Sequence, residues 1–277
     1  MPQNKTNMKN YKNVKLIVTD MDGTLLHSDY TLNPLFFDIY NQIKTLGISF
    51  AVASGRQYES LFNIFKEIQN DIYFIAENGG NVVYQGKQQF VQEIDPKIIK
   101  EVVKIIRLIP NTELILCGVK SAYIEESKPE FEEHIAPYYP LRELVSDFLK
   151  PINDQIVKIA IYNPESSEDN IFPHVGYLKD KFQVVISGKH WVDISVKNSN
   201  KGYALKKIQN ILQVSKEETM VFGDYLNDIE MMSNGYYSFA MDNAHPLLKE
   251  KARFLASSND EDGVLKILKD IIEQKNK

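Results

Sequence analysis

The chain has 277 residues, of which 43% are hydrophobic and 25% charged, with a formal net charge of -5. That length exceeds a usual single domain and that composition can fill a sizeable core, while the acidic balance excludes a general nucleic-acid binder, which needs a basic face. The single cysteine, Cys117, excludes an internal disulfide framework or thiolate metal cluster, and within the apolar run 114–117 it reads as a buried, inert thiol.

Residues 1–13 are polar and lysine-rich, so neither a secretory signal nor a membrane anchor is expected there, and no later run reaches the ~18 apolar residues of a membrane span. A cytoplasmic enzyme is the expectation. Residues 14–18 then form an almost unbroken apolar run, the pattern of a strand covered on both faces. It ends in Asp20-Met21-Asp22-Gly23-Thr24. An apolar strand gains nothing from acids at its tip unless something there needs negative charge. In an extended backbone the two acids would point the same way, and ligands bind at the carboxyl ends of parallel strands.

Asn33-Pro34 opens a helix whose Leu35, Phe36, Ile39, Ile43 and Leu46 recur at helical spacing, with Gly47 placed to end it. A second buried-type strand over 48–53 runs into Ser54-Gly55-Arg56. Strand, helix, strand implies a right-handed parallel crossover, which brings Ser54 to the same sheet edge as Asp20. A helix over about 57–69, a strand over 72–76 and the turn Glu77-Asn78-Gly79-Gly80 follow.

From about Val82 the texture changes. A hairpin is predicted over 82–91, then a helix after Asp95-Pro96. Strands are expected over 113–118, 122–125, 156–162 and 182–186, with helices near 130–134 and 172–179, Pro173 sitting in the first turn of the latter. None of these strands ends in paired acids. The segment reads as an inserted α+β domain, residues 83–189, between core segments 1–82 and 190–277. The parallel pattern is expected to resume at Trp191, leading to Asn200-Lys201-Gly202 and a helix with Ala204, Leu205, Ile208, Ile211 and Leu212 inward. A strand over 219–222 meets Gly223-Asp224-Tyr225-Leu226-Asn227-Asp228, and short strands over 237–240 and 254–256 precede a last helix over 264–272.

Asp20, Asp22, Ser54, Lys201, Asp224, Asn227 and Asp228 would converge at the carboxyl edge of that sheet. Several carboxylates in one cleft repel unless a hard cation relieves them, and oxygen-only donors favour magnesium over zinc. A lysine and a serine beside such a metal suit a phosphoryl group.

Asp20-Met21-Asp22-Gly23-Thr24 resembles the DxDGT signature of the haloacid dehalogenase superfamily of phosphatases. Ser54-Gly55-Arg56 is similar to its second motif, Asn200-Lys201-Gly202 to its lysine motif, and the segment from Gly223 to Asp228 to its GDxxND motif. Asn78-Gly79, Met241-Asp242-Asn243-Ala244 and the segment from Asn259 to Val264 resemble the Cof-type branch. The resemblance implies a Rossmann-like, doubly wound parallel α/β core with an α+β cap. It implies that Asp20 attacks phosphorus to give an aspartyl-phosphate, and that Asp22 protonates the leaving oxygen and then activates water. Mg2+ would be held by the Asp20 carboxylate, the Asp22 main-chain carbonyl and Asp224. Ser54 and Lys201 would hold phosphoryl oxygens, with Gly55 in the same turn, and Asn227 would contact the phosphate or orient the nucleophile. Asp228 would orient Lys201 or a metal-bound water, and Arg56 either touches substrate or binds the cap edge.

A small phosphorylated metabolite is the expected partner, with neither nucleic acid nor membrane. A phosphomutase, and a regulatory domain phosphorylated on aspartate, are the competing readings; the second has no use for an acid such as Asp22 that speeds loss of its phosphate. Tyr123, Lys158 and His190 are candidate substrate selectors, though lone polar residues on an α+β surface are ordinarily solvated. His27, His134, His174 and His245 lack ligand spacing to one another.

Overall fold

The computed structural model describes residues 10–136 and 138–276. The first nine residues of the polar, lysine-rich segment 1–13 therefore lie outside the described residues. The chain forms two compact units, one running to Val52 and resuming at Leu205, the other spanning Ala53–Ala204. No helix among the described residues is long and apolar enough to cross a membrane.

The first unit begins with β1 (Leu16–Asp20), α1 (Leu35–Thr45) and β2 (Ser49–Ala53). The second contains α2 (Tyr58–Ile64), β3 (Tyr73–Ala76), β4 (Asn81–Tyr84), β5 (Lys87–Val91), α3 (Pro96–Ile106), β6 (Glu113–Gly118), β7 (Ala122–Ile124), α4 (Pro129–Ile135) and β8 (Arg142–Leu144). It continues through β9 (Ile156–Tyr162), α5 (Ser167–Asn170), α6 (Phe172–Val175), β10 (Phe182–Gly188), β11 (Trp191–Val196) and α7 (Lys201–Leu212), the helix that leads back. The first unit then closes with β12 (Thr219–Gly223), α8 (Ile229–Asn234), β13 (Tyr237–Met241), α9 (Pro246–Lys251), β14 (Phe254–Ala256) and α10 (Gly263–Lys275).

Within the first unit the strands lie in the order β14-β13-β12-β1-β2, and β1/β12, β12/β13 and β13/β14 are parallel. This is the expected parallel α/β core. Leu16, Ile17 and Val18 are fully buried, which is why β1 reads as a continuous apolar run and not an alternating one. Helix α1 buries Phe36, Ile39, Tyr40 and Ile43, and it packs on α10, which buries Leu265, Leu268 and Ile271. Full burial of a side chain such as Phe36 stabilises by about 1.5–3 kcal/mol.

In the second unit β3, β4 and β5 form an antiparallel meander. A six-stranded sheet follows in the order β10-β11-β9-β6-β7-β8, antiparallel throughout except for β7 and β8. One face meets Ile99, Val102 and Ile106 of α3 together with Ile171 and Val175. The other face carries Ile115, Cys117 and Ala160 against Phe131, Ile135 and Tyr139.

Three details depart from the sequence reading. The parallel pattern does not resume at Trp191, because β11 pairs antiparallel with β10 and β9; a short turn between sequential strands returns the chain alongside itself. Helix α2 stops at Ile64, after which Ile68 and Asp71 donate to carbonyls three residues back, a tighter winding that buries Phe65 and Ile68 together. Ile211, expected inward in the last turn of α7, is 47% exposed, while Ala204, Leu205 and Ile208 are buried as expected.

Candidate active site

The tip of β1 is shaped by its backbone. Asp20 is buried, and the N–H groups of Thr24, Leu25 and Leu26 all donate to the Met21 carbonyl, wrapping the chain into a tight loop. Gly23 sits at φ +76° inside it, and a Cβ there would lie 2.3 Å from Asp224 Oδ2, so the loop can form only around a residue without one. Because the strand ends at Asp20, Asp22 belongs to the turn and is not governed by period-two alternation.

The register of β1 on β12 pairs Thr19 with Phe222, so Asp20 stands level with Gly223 and just short of Asp224. Carboxylate oxygens of Asp20, Asp224 and Asp228 lie within 4.8 Å of one another. Asp228, fully buried, accepts from the N–H groups of Asp224 (3.0 Å) and Tyr225 (3.3 Å) through Oδ2. Thr24 Oγ1 donates to Asp224 Oδ1 at 3.4 Å, and the His245 N–H donates to the Asp224 carbonyl at 2.8 Å. Asn227 is exposed in the one-turn helix Leu226–Asp228. Three carboxylates this close repel strongly, and all-oxygen donors with an adjoining glycine fit a small hard cation such as magnesium.

The closing segments of the chain brace this loop. Asn243 Nδ2 donates to the Gly23 carbonyl at 2.8 Å, while its Oδ1 accepts from the Asn259 N–H at 3.2 Å. Asn259 Nδ2 in turn donates to the Leu26 carbonyl at 3.0 Å. Further along, Asp262 meets His27 Nε2 at 2.8 Å and accepts from Asn33 Nδ2 at 2.9 Å, and Asp260 accepts twice from Ser28. Burial pushes the Asp262 carboxyl up, but the His27 and Asn33 hydrogen bonds hold it below its ordinary value.

In the second unit a compact loop cluster holds Ser54, Gly55, Arg56 and Lys201. Ser54 is buried and its Oγ accepts from the Arg56 N–H at 3.1 Å, which leaves its own hydroxyl proton for another acceptor. The N–H groups of Asn78 and Glu77 donate to the carbonyls of Ser54 (2.9 Å) and Arg56 (3.0 Å). A Cβ on Gly55 would lie 3.0 Å from Asn78 Nδ2, and one on Gly79 would lie 2.4 Å from the Asn200 carbonyl oxygen. Lys201 is fully buried at the start of α7, where Asn200 Oδ1 accepts the Tyr203 N–H at 2.8 Å as an N-cap.

Residues 17–268 match the family described as haloacid dehalogenase-like hydrolase. The chain belongs to the haloacid dehalogenase-like hydrolase family. This hydrolase is 35% identical over 267 residues to the 5-amino-6-(5-phospho-D-ribitylamino)uracil phosphatase YbjI of Escherichia coli, covering 94% of this chain and 97% of that one. It is 23% identical to the phosphatase of the same description, YitU, from Bacillus subtilis, covering 92% and 96% of the two chains. Among solved structures, one from Eubacterium rectale superposes with a TM-score of 0.87 at 28% identity, covering 93% of this chain and 98% of that one. The chain thus matches these relatives and this solved structure along nearly their whole length.

Sequence reasoning set Asp228 behind the metal ligands; in the structure its carboxylate stands in the acidic cluster itself, while the Asp22 carboxylate does not. It missed Thr24 and Asn243, whose signal lay only in their motifs. The candidate selectors are all engaged. Tyr123 OH donates to Asp154 Oδ2 at 3.1 Å, His190 Nδ1 lies 3.2 Å from the Asn163 carbonyl, and Lys158 is buried against Glu77. Burial raises the Cys117 thiol far above its ordinary value, in keeping with an inert side chain.

Proposed function

We propose that this hydrolase is a magnesium-dependent phosphatase of small phosphorylated metabolites, working through an aspartyl-phosphate on Asp20. The observation that carries the reading is the meeting of the Asp20, Asp224 and Asp228 carboxylates at the tips of adjacent parallel strands. The Asp20 and Asp224 carboxylates, with the Asp22 main-chain carbonyl, would hold magnesium. When bound, it would offset their charge and that of the phosphoryl oxygens.

An Asp20 oxygen attacks phosphorus in line, the bond to the leaving alkoxide breaks, and Asp22 gives that oxygen its proton. Asp22, now ionised, takes a proton from a water as the water attacks the phosphorus of the acyl phosphate. Inorganic phosphate leaves and Asp20 is regenerated. Ser54, Gly55 and Arg56, with Lys201 and Asn227, hold phosphoryl oxygens and offset their charge in the transition state. Asp228, itself in the acidic cluster, braces the Asp224 backbone and would orient Lys201 or a water beside the metal. The inserted segment, expected over residues 83–189 and extended by β11 to Val196, serves as the cap that selects the leaving group; residues 1–82 and those after Val196 serve as the catalytic core. The enzyme works in the cytoplasm, without nucleic acid or membrane as partner.

The relatives' names make 5-amino-6-(5-phospho-D-ribitylamino)uracil the first substrate to try. Release of inorganic phosphate from that compound, compared with a panel of sugar phosphates, tests the substrate. The reaction class is tested separately, by rapid acid quench: a phosphorylated adduct should map to Asp20, and an adduct on any other residue rejects the mechanism.

A further inference from the structure

In the second unit the loop between β3 and β4 runs through three successive residues of positive φ: Glu77 (+50°), Asn78 (+52°) and Gly79 (+98°). Only the third is a glycine, so two residues with side chains are held where such residues rarely sit. The loop lies between the two motifs of this unit that the proposed mechanism uses. Asn78 lies against Gly55, and the Gly79 backbone abuts the Asn200 carbonyl so closely that even a Cβ has no room. Gln92 closes the same seam, its Nε2 donating to the carbonyls of Gly79 (3.3 Å) and Asn198 (3.1 Å).

A charged side chain from the neighbouring sheet also holds the loop. Lys158 Nζ, from the middle of β9, meets Glu77 Oε2 at 2.5 Å, with both residues buried. The other Glu77 oxygen, Oε1, is buried with no hydrogen-bond partner among the described residues, so Lys158 is the group that anchors this carboxylate. Burial alone would pull the Lys158 pKa down, but Glu77, Tyr139, Cys117 and Asp193 more than offset it, so the ammonium stays charged. Removing Lys158 would leave the Glu77 carboxylate buried without the cation it meets in the structure, a destabilising change that falls on a loop already held at positive φ.

We propose that Lys158 is a positioning residue of this hydrolase: its ion pair with Glu77 holds residues 77–79 in the left-handed conformation that sets the Ser54–Arg56 turn against Asn200 and Lys201. The inference rests on the reading that Ser54 and Lys201 bind the phosphoryl group. It assigns Lys158 a task in the sheet other than selecting substrate.

The experiment measures inhibition of the full-length enzyme by inorganic phosphate, together with its apparent magnesium affinity. Lys158→Met and Glu77→Gln should each weaken phosphate inhibition by about tenfold or more, the scale seen when a residue orienting a ligand is removed. Magnesium affinity should stay within about twofold of wild type, since the acidic cluster belongs to the other unit. The double variant should be no worse than either single one, and the exchange Lys158→Glu with Glu77→Lys should recover part of the loss. Unchanged phosphate inhibition in Glu77→Gln, the near-isosteric variant, would overturn the proposal even if Lys158→Met fails to fold. Equal losses of phosphate and magnesium binding would reduce the pair to a general stabiliser. Ser54→Ala and Lys201→Met separate the two claims: if these weaken phosphate binding and Glu77→Gln does not, the positioning role alone fails. If neither does, the phosphate assignment fails and takes the positioning role with it.

Discussion

Gly23 and Asp224 approach so closely that a Cβ on the glycine would lie 2.3 Å from the Asp224 carboxylate. The first strand's loop and the acid after β12 are thus fitted to each other, with the glycine's φ of +76° adding a backbone requirement at the same place. Gly23→Ala must move one of them and also strain the backbone by about 1–3 kcal/mol. Phosphatase activity should fall by roughly 100-fold or more, the scale of a 1 Å misplacement at a reacting centre. Thermal unfolding should remain cooperative. Steady-state phosphate release and a melting curve check this, and an active Gly23→Ala enzyme would mean the loop need not abut Asp224.

Asp228 offers a graded test of the acidic cluster. Its Oδ2 accepts two backbone N–H groups, from Asp224 and Tyr225. Asp228→Asn keeps an acceptor but loses the charge, so apparent magnesium affinity should weaken by about 10–100-fold with little loss of stability. Asp228→Ala also orphans two partly buried donors and should cost at most roughly 1–3 kcal/mol for each one left unsatisfied. Magnesium titrations of activity and urea unfolding separate the two effects. Equal behaviour of the two variants would count against a metal-related role.

Asp20→Asn should behave in opposite ways by two measures. Hydrolysis should be lost, because an amide cannot serve as the nucleophile. In EDTA, however, the variant should melt higher than wild type, since one of three mutually repelling carboxylates has gone. Each kcal/mol relieved raises the midpoint by about 2–4 °C in a protein of this size. A lower midpoint without metal would show that the cluster is not under electrostatic strain.

The clamp of Asp262 on His27 and Asn33 predicts a pH dependence of stability. The folded-state pKa of Asp262 lies below its ordinary value, so the carboxylate contributes stability above about pH 4, the unfolded value. That contribution is lost as pH falls through the lower folded value. Asp262→Asn should therefore lower the urea midpoint at pH 7 and converge with wild type once pH has fallen below the folded-state value. The effect will be modest because the pair is partly exposed to solvent. A difference of equal size at both pH values would mean that shape, and not charge, holds the loop.

Much of the molecule was legible without coordinates where information is local. The apolar run before Asp20 announced a strand buried on both faces, Asn200-Lys201-Gly202 marked where α7 opens, and prolines marked the starts of α3 and α6. The carboxylates were visible because charge at the end of such a strand has no structural use. The sequence did not say which strand would lie beside Trp191, because alternation reports that a face is buried and not what buries it. It could not say that Asp228 would turn its carboxylate toward Asp20, or that Asn243 and Asn259 would hold the loop around Gly23. Nor could it show that Lys158 would reach Glu77 across a break in secondary structure. Periodicity and capping are properties of neighbouring residues and are written in the chain; contacts between distant residues depend on strand order and register, and those are decided only when the sheets assemble.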